Sequence, residues 1–202
     1  MRRTAPIFIA AALVVAACGG EPEPASAPSD KVSASEPAAP PAPSIADFDL
    51  GEADFLLVLD AEGATKLIRP EGARIAPAEG SPFPAVALSG VPTDATSRGL
   101  TGGVAIRMPD ALEDAAGGKA VVVRALARSA GSPASLGLVY STNEAGTSGW
   151  KTFTLTDQYA VYELYWPVPA GTSDAGDFVG LKPFVAVDIA AVTVSVVERR
   201  ED

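Results

Sequence analysis

From Ile45 onward, β-branched and aromatic residues come in short runs, each closed by Gly, Pro, Asp or Ser. Runs of this kind, spaced about ten to fifteen residues apart, predict strands joined by turns, and the only helical signal is a turn or two around Ala111 to Ala116. The expected strands are Asp54–Leu59, Ala64–Ile68, Ala85–Ser89, Gly103–Met108, Lys119–Arg128, Ser135–Ser141, Lys151–Leu155, Ala160–Val168, Phe178–Val185 and Val192–Glu198. Ten short strands in one domain hide their apolar faces by packing two sheets together, so the expected fold is an all-β sandwich.

Side chains alternate between the two faces of a strand. In Lys119–Arg128 this puts Val121, Val123, Ala125 and Ala127 on the core face and Val122, Arg124, Leu126 and Arg128 on the other. Tyr162, Leu164, Trp166 and Val168 share one face of the next long strand, which predicts Trp166 in the core and Glu163 and Tyr165 opposite it. Phe153 and Leu155 point inward by the same rule, with Thr152 and Thr154 outward. A hairpin turning near Asp157–Gln158 is therefore expected to pair Lys151–Leu155 with Ala160–Val168.

The N-terminus reads as an address. Arg2 and Arg3 precede an apolar stretch from Ala5 to Ala17, too short for a membrane-crossing helix of about 20 residues, and small residues lead to Cys18, the only cysteine. This plan predicts a signal peptide over residues 1–17. The Val15-Ala16-Ala17-Cys18 ending resembles the lipobox of bacterial lipoproteins, which implies that Cys18 becomes the lipid-modified first residue of the mature chain. Gly19 rather than Asp in the next position implies sorting to the outer membrane of a Gram-negative envelope, with the domain facing the periplasm.

Residues 18–44 form the expected linker. From Gly19 to Ser44 there are seven Pro, six Ala and five Ser, with Val32 as the one bulky apolar residue. Such a stretch buries too little apolar surface to offset its ordering entropy, and at about 3.1 Å per residue a fully polyproline-like tether reaches roughly 80 Å. Residues 45–202 are the expected folded domain.

Composition narrows the function. The formal charge is −10, and loss of Arg2 and Arg3 with the signal makes it more negative by two, which excludes nucleic acid and anionic lipid as natural partners. Histidine is absent, so the commonest general base and metal ligand are missing, and a Cys18 consumed by an anchor leaves no thiol chemistry. Without a disulfide, the domain depends on its own core, and about 155 residues suffice to bury roughly 70% of the unfolded surface.

The segments Gly118–Arg128, Trp150–Thr156, Tyr159–Pro169 and Ala190–Val196 together resemble the jelly-roll carbohydrate-binding modules of the galactose-binding-like superfamily. The resemblance covers about the last 80 residues and implies a jelly-roll sandwich whose ligands are sugars. No binding residue transfers position by position, because the aromatic that the family often has is replaced by Ala160 or displaced to Tyr159, and no Asn, Gln and Asp set carries over as a sugar-binding constellation.

All four Tyr and both Trp lie between Tyr140 and Trp166. Sugars stack apolar C–H faces on aromatic rings, and Arg, Asn and Glu complete recognition by paired hydrogen bonds. Tyr165, Glu163, Arg124, Trp150 and Tyr140 are therefore the candidate glycan-binding residues, gathered on one polar-aromatic surface. The competing arrangement is a half-buried face on which Arg124 pairs with Glu163 and Trp150 closes the sandwich edge. Carboxylates cluster at Asp47, Asp49, Glu52 and Asp54, at Asp110, Glu113 and Asp114, and at Asp174 and Asp177. These are candidate calcium ligands, as many jelly rolls of this superfamily hold a structural calcium, though none has EF-hand spacing and solvated turns are the plainer reading. No carboxylate pair has a definable separation for glycosidase chemistry. The expectation is a non-catalytic envelope lipoprotein that binds a glycan, or alternatively an outer-membrane lipoprotein that contacts an envelope protein and no sugar.

Overall fold

The computed structural model describes residues 42–91, 102–171 and 175–200. Cys18, the signal segment, nearly all of the linker and Asp174 lie outside the described residues. The chain divides after Pro40 into two units, and everything described belongs to the second.

The strands are β1 (Phe55–Val58), β2 (Leu67–Ile68), β3 (Arg74–Pro77), β4 (Val86–Ser89), β5 (Val104–Arg107), β6 (Ala120–Ser129), β7 (Ala134–Ser141), β8 (Lys151–Leu155), β9 (Ala160–Pro167), β10 (Phe178–Pro183) and β11 (Val187–Val197). One short helix, α1 (Asp110–Ala116), sits where the helical signal placed it. The strands form two antiparallel sheets. One runs β3-β4-β11-β6-β9, with β1 also paired to β11; the other runs β2-β5-β10-β7-β8. This is the all-β sandwich that the alternation demands, with inward residues of both sheets packed face to face.

The core follows the parity of each strand. Val121, Val123, Ala125 and Ala127 of β6 meet Leu136, Leu138 and Tyr140 of β7 and Val179 and Leu181 of β10, all buried. Tyr162 and Trp166 of β9 pack against the same core. In β11 the register slips between Ile189 and Ala191. This bulge flips the parity, so that Val187 and Ile189 before it and Val192 and Val194 after it all face inward. It also lets one edge of β11 serve two partners, β4 at Val187–Ile189 and β1 at Ala191–Val194.

Four expectations need correction. Ala64–Ile68 is mostly a 3-10 turn over Gly63–Lys66, nucleated where the Gly63 amide donates to Asp60 Oδ1 at 2.8 Å, and only Leu67–Ile68 remains extended. Edge strand β3, which ends in Pro77, carries too few bulky residues to signal itself. The last strand starts at Val187, five residues earlier than its β-branched run suggests. Finally, β8 and β9 do not pair. Both face the core, but from opposite sheets, because the turn between them carries the chain across the sandwich.

A second apolar layer covers the outer face of the six-stranded sheet. Leu126, Ala190 and Ala191 lie buried there beneath Ile45, Phe48 and Leu50 of the N-terminal segment. The segment opens with a capping box, in which the Ser44 amide donates to Asp47 Oδ2 at 2.7 Å and the Ala46 amide to Ser44 Oγ. Further on, Thr193 Oγ1 donates to the Leu50 carbonyl, Ser195 Oγ to the Glu52 carbonyl and the Val196 amide to Asp54 Oδ2. These bonds strap the segment across the sheet.

Candidate functional site

The two outer faces of the sandwich and its core divide the sequence-predicted residues among them. Arg124 and Glu163 are cross-strand partners on the six-stranded sheet, with Arg124 Nε and Nη2 each 2.9 Å from Glu163 Oε2. Arg124 Nη1 also donates to the Leu50 carbonyl, and Gly51 lies so close that a Cβ there would sit 2.5 Å from that nitrogen. Both side chains therefore clamp the N-terminal strap. Tyr165 is on the same face, where its hydroxyl accepts from the Arg200 amide at 3.0 Å and the Arg200 guanidinium stands 4.7 Å from its ring centroid. The chain's own terminal segments thus take up all three.

Tyr140 is fully buried and belongs to neither surface. It is the third inward residue of β7 after Leu136 and Leu138, its ring packs 5.7 Å from that of Trp166, and its hydroxyl donates to Asp177 Oδ2 at 2.8 Å. Burial, with the Asp177 and Glu113 carboxylates nearby, pushes the phenol well above its usual range and keeps it protonated. Burial likewise raises the Asp177 carboxyl, and Glu113 adds to this, while the Tyr140 hydrogen bond opposes it. A structural pair of this kind offers a ligand nothing.

Trp150 stands apart from the other four, on the outer face of the five-stranded sheet. The single polar-aromatic surface expected from the sequence therefore does not form: alternation assigns faces within a strand but not which sheet a strand joins. Around Trp150 the sheet is shaped to receive the indole. Its six-membered ring lies over Gly137 of β7 and over Gly103, just before β5. A Cβ on Gly137 would sit 3.0 Å from Trp150 Cε3, and one on Gly103 would sit 2.9 Å from Cη2. A glycine inside a strand marks a close approach of this sort, and here it lets an aromatic ring lie against the sheet. Trp150 remains 37% exposed.

The neighbours come from register. Lys182 of β10 pairs with Gly137, which pairs with Thr152 of β8. The Lys182 ammonium is 5.7 Å from the Trp150 ring centroid, within reach of a cation–π contact. One row further, the Phe184 amide donates to the Ser135 carbonyl at 3.0 Å, and Ser135 pairs with Thr154. By parity, Phe184, Ser135 and Thr154 face outward with Lys182 and Thr152, and Phe184 is 51% exposed. The other half of this face, at Ala105, Val139 and Phe178, is buried. An open strip is left: two aromatics, one cation and three hydroxyls, borne on a rigid sheet. Lys182 and Phe184 were missed from sequence, although alternation around inward Val179 and Leu181 marks both as outward.

Two other concavities are poorer candidates. A recess of about 360 Å³ at Ile75, Pro77, Pro84 and Val86 is lined almost wholly by apolar groups. A groove of about 630 Å³ runs over Ala76 and Ala87 to Asp188 and Arg128. Arg128 is already held there by Asp188 at 2.9 Å, by the Glu79 carbonyl and by the Tyr159 ring, which also packs on Phe83 and whose hydroxyl lies 3.0 Å from Ser81 Oγ. Four of the carboxylates proposed for calcium are spent on backbone amides and arginine: Asp49 accepts from Gly51, Asp54 from Val196, Glu113 from Asp177, and Asp110 from Arg107. Among the described residues no three or more acidic side chains converge as a metal site requires.

No family model matches this chain, and no curated protein matches it. Solved structures do. The CBM22-1 xylan-binding domain of Paenibacillus barcinonensis Xyn10C is similar over 74% of this chain and 97% of its own, at 14% identity and a TM-score of 0.52. The CBM22-1–CBM22-2 tandem of the same protein is similar over 76% of this chain and 48% of its own, at 15% identity and a TM-score of 0.51. At such identities the likeness is one of fold: this chain carries the two-sheet β-sandwich of carbohydrate-binding modules.

Proposed function

We propose that this protein is a non-catalytic glycan-binding module, and that the outer face of the five-stranded sheet is where the glycan lies. The observation that carries the reading is Trp150, an indole seated on glycines with part of its surface open to solvent. A pyranose stacks its C–H face on such a ring, while Thr152, Thr154 and Ser135 supply hydroxyls that exchange hydrogen bonds with sugar hydroxyls. The likeness in fold to xylan-binding modules supports the same reading.

The address is part of the proposal. Residues 1–17 act as a lipoprotein signal, Cys18 carries the lipid, and residues 18–44 tether the domain of residues 45–202 to the outer membrane on its periplasmic side. A dually or triply acylated cysteine holds a protein firmly without a spanning helix, since each buried methylene is worth about 0.8 kcal/mol.

Affinity electrophoresis through gels containing neutral and acidic envelope and plant-wall polysaccharides tests the binding claim. Retardation by at least one glycan, abolished by Trp150→Ala and unaffected by Tyr165→Ala, is expected. Retardation by none, with a specific envelope protein recovered by crosslinking in cells, would replace the glycan with a protein partner. For the address, Cys18→Ser is expected to abolish lipid labelling and membrane retention.

A further inference from the structure

β3 is an edge strand of the six-stranded sheet, with β4 as its strand neighbour. Its register runs from Arg74 opposite Ser89 to Pro77 opposite Val86, and just beyond it the Ala78 amide donates to the Ala85 carbonyl at 3.0 Å. Bonded and non-bonded pairs alternate along an antiparallel ladder, so Ala76 and Arg74 bond to β4 while Ile75 and Pro77 do not. The amide and carbonyl of Ile75 and the carbonyl of Pro77 therefore point away from the sheet, and the proline stands where β4 requires no N–H. Among the described residues no group bonds the Ile75 backbone from the open side. Two further features lie along this edge. The apolar recess of about 360 Å³ is lined by Ile75 and Pro77 together with Ala61, Ala64, Pro84 and Val86. Arg69 and Arg74 are exposed, and among the described residues neither has an ion-pair partner, whereas Arg107, Lys119, Arg124 and Arg128 each hold a carboxylate. Of the carboxylates nearby in the chain, Asp60 accepts from the Gly63 amide and Glu62 holds Lys66, and Glu71 pairs with neither arginine.

We propose that the β3 edge takes up an extended acidic segment of another protein, which adds to the sheet as a further antiparallel strand. The residue opposite Ile75 exchanges two backbone hydrogen bonds with it. The residue opposite Pro77 places an apolar side chain in the recess, which is too poor in polar groups to hold a sugar. The residue opposite Arg74 is a carboxylate on the outer face, where opposite charges on facing strands attract. A second copy of this chain is the poorer occupant. The sequence Arg74-Ile75-Ala76-Pro77 has no carboxylate to offer, and two such strands laid antiparallel across Ile75 set both Arg74 side chains on one face. This edge belongs to the other sheet from Trp150, so it stands or falls independently of the glycan reading.

A capped synthetic peptide with the core Leu-Thr-Val-Glu, flanked by serines, matches the edge from Pro77 to Arg74. Titrated into the full chain and followed by proton–nitrogen correlation spectra, it is expected to shift the amides of Ala61, Ala64, Arg74 and Ile75 and to leave the Trp150 indole unmoved. N-methylation of the valine removes the hydrogen bond to the Ile75 carbonyl and should weaken binding about tenfold or more. Serine in place of the leucine should cost about tenfold, and lysine in place of the glutamate about threefold. Arg74→Glu should reverse the order of the glutamate and lysine peptides. The proposal is overturned if the N-methylated peptide binds as tightly as its parent, if Arg74→Glu leaves the order of the two peptides unchanged, or if no amide of the edge shifts at about 1 mM peptide. Self-association of the free chain that protects the Ile75 amide would overturn it too, by giving the edge to a second copy.

Discussion

Gly137 and Trp150 form one device. The indole can lie flat only because β7 has no Cβ beneath it, and the alternative of a larger residue at position 137 lifts the ring off the sheet. Gly137→Ala is therefore expected to lower glycan affinity several-fold with only a small change in melting temperature, read by titration and thermal denaturation on the same preparation. Gly103→Ala is a harsher change, since its Cβ would also fall 2.5 Å from the Leu181 carbonyl oxygen. The Asp177 carboxyl makes a different prediction. Its folded pKa is raised by burial, so the unfolded chain gives up this proton at lower pH than the folded protein does. Between the ordinary carboxylate range and the raised folded value, the folded state binds more protons, and stability falls as pH rises. Asp177→Asn keeps an oxygen for the Tyr140 hydroxyl and removes the buried charge. Its melting temperature is expected to fall less than that of the parent as pH rises through this window, and an identical pH profile for the two would show that Asp177 ionises freely.

Among the elements, the N-terminal strap is held by side chains of the strands it crosses. Arg124 joins three of them, giving β6 a salt bridge to β9 and a hydrogen bond to the strap at Leu50. The pair is partly exposed, so Arg124→Met is expected to cost about 1–2 kcal/mol in a urea titration, most of it from the strap contacts. Glycan affinity should not change, because Trp150 lies on the other sheet. The faces of β6 and β9 were legible in the sequence because parity is local: Val121 to Ala127 and Tyr162 to Val168 announce their own orientation. The failure to pair β8 with β9 has the opposite cause. Which sheet a strand joins depends on neighbours far along the chain, and the Asp157–Gln158 turn looks the same whether it closes a hairpin or crosses between sheets. The candidate site shares this limit. Trp150 stood out as an aromatic in a polar loop, but Lys182 and Phe184 reach it only through the β10–β7 register, which no local pattern encodes. Tyr140 was misplaced for a local reason: it was grouped with the aromatics that cluster between Tyr140 and Trp166, whereas its parity with Leu136 and Leu138 puts it in the core.

At the scale of the whole molecule, the chain's ends cover much of one outer face, while the other leaves Trp150 partly exposed. The six-stranded sheet is covered by the chain's own ends, which bury Leu126 and engage Arg124, Glu163 and Tyr165. The five-stranded sheet carries Trp150 on its outer face with part of the indole exposed. Proton–nitrogen correlation spectra of the full chain, recorded as an oligosaccharide that retards it is titrated in, locate the ligand directly. The account predicts shifts at the Trp150 indole N–H and at the amides of Gly137, Thr152, Lys182 and Phe184, with Arg124, Glu163 and Tyr165 unmoved. Shifts centred instead on Arg124, Glu163 and Tyr165, or on the Arg128–Asp188 groove, would contradict it.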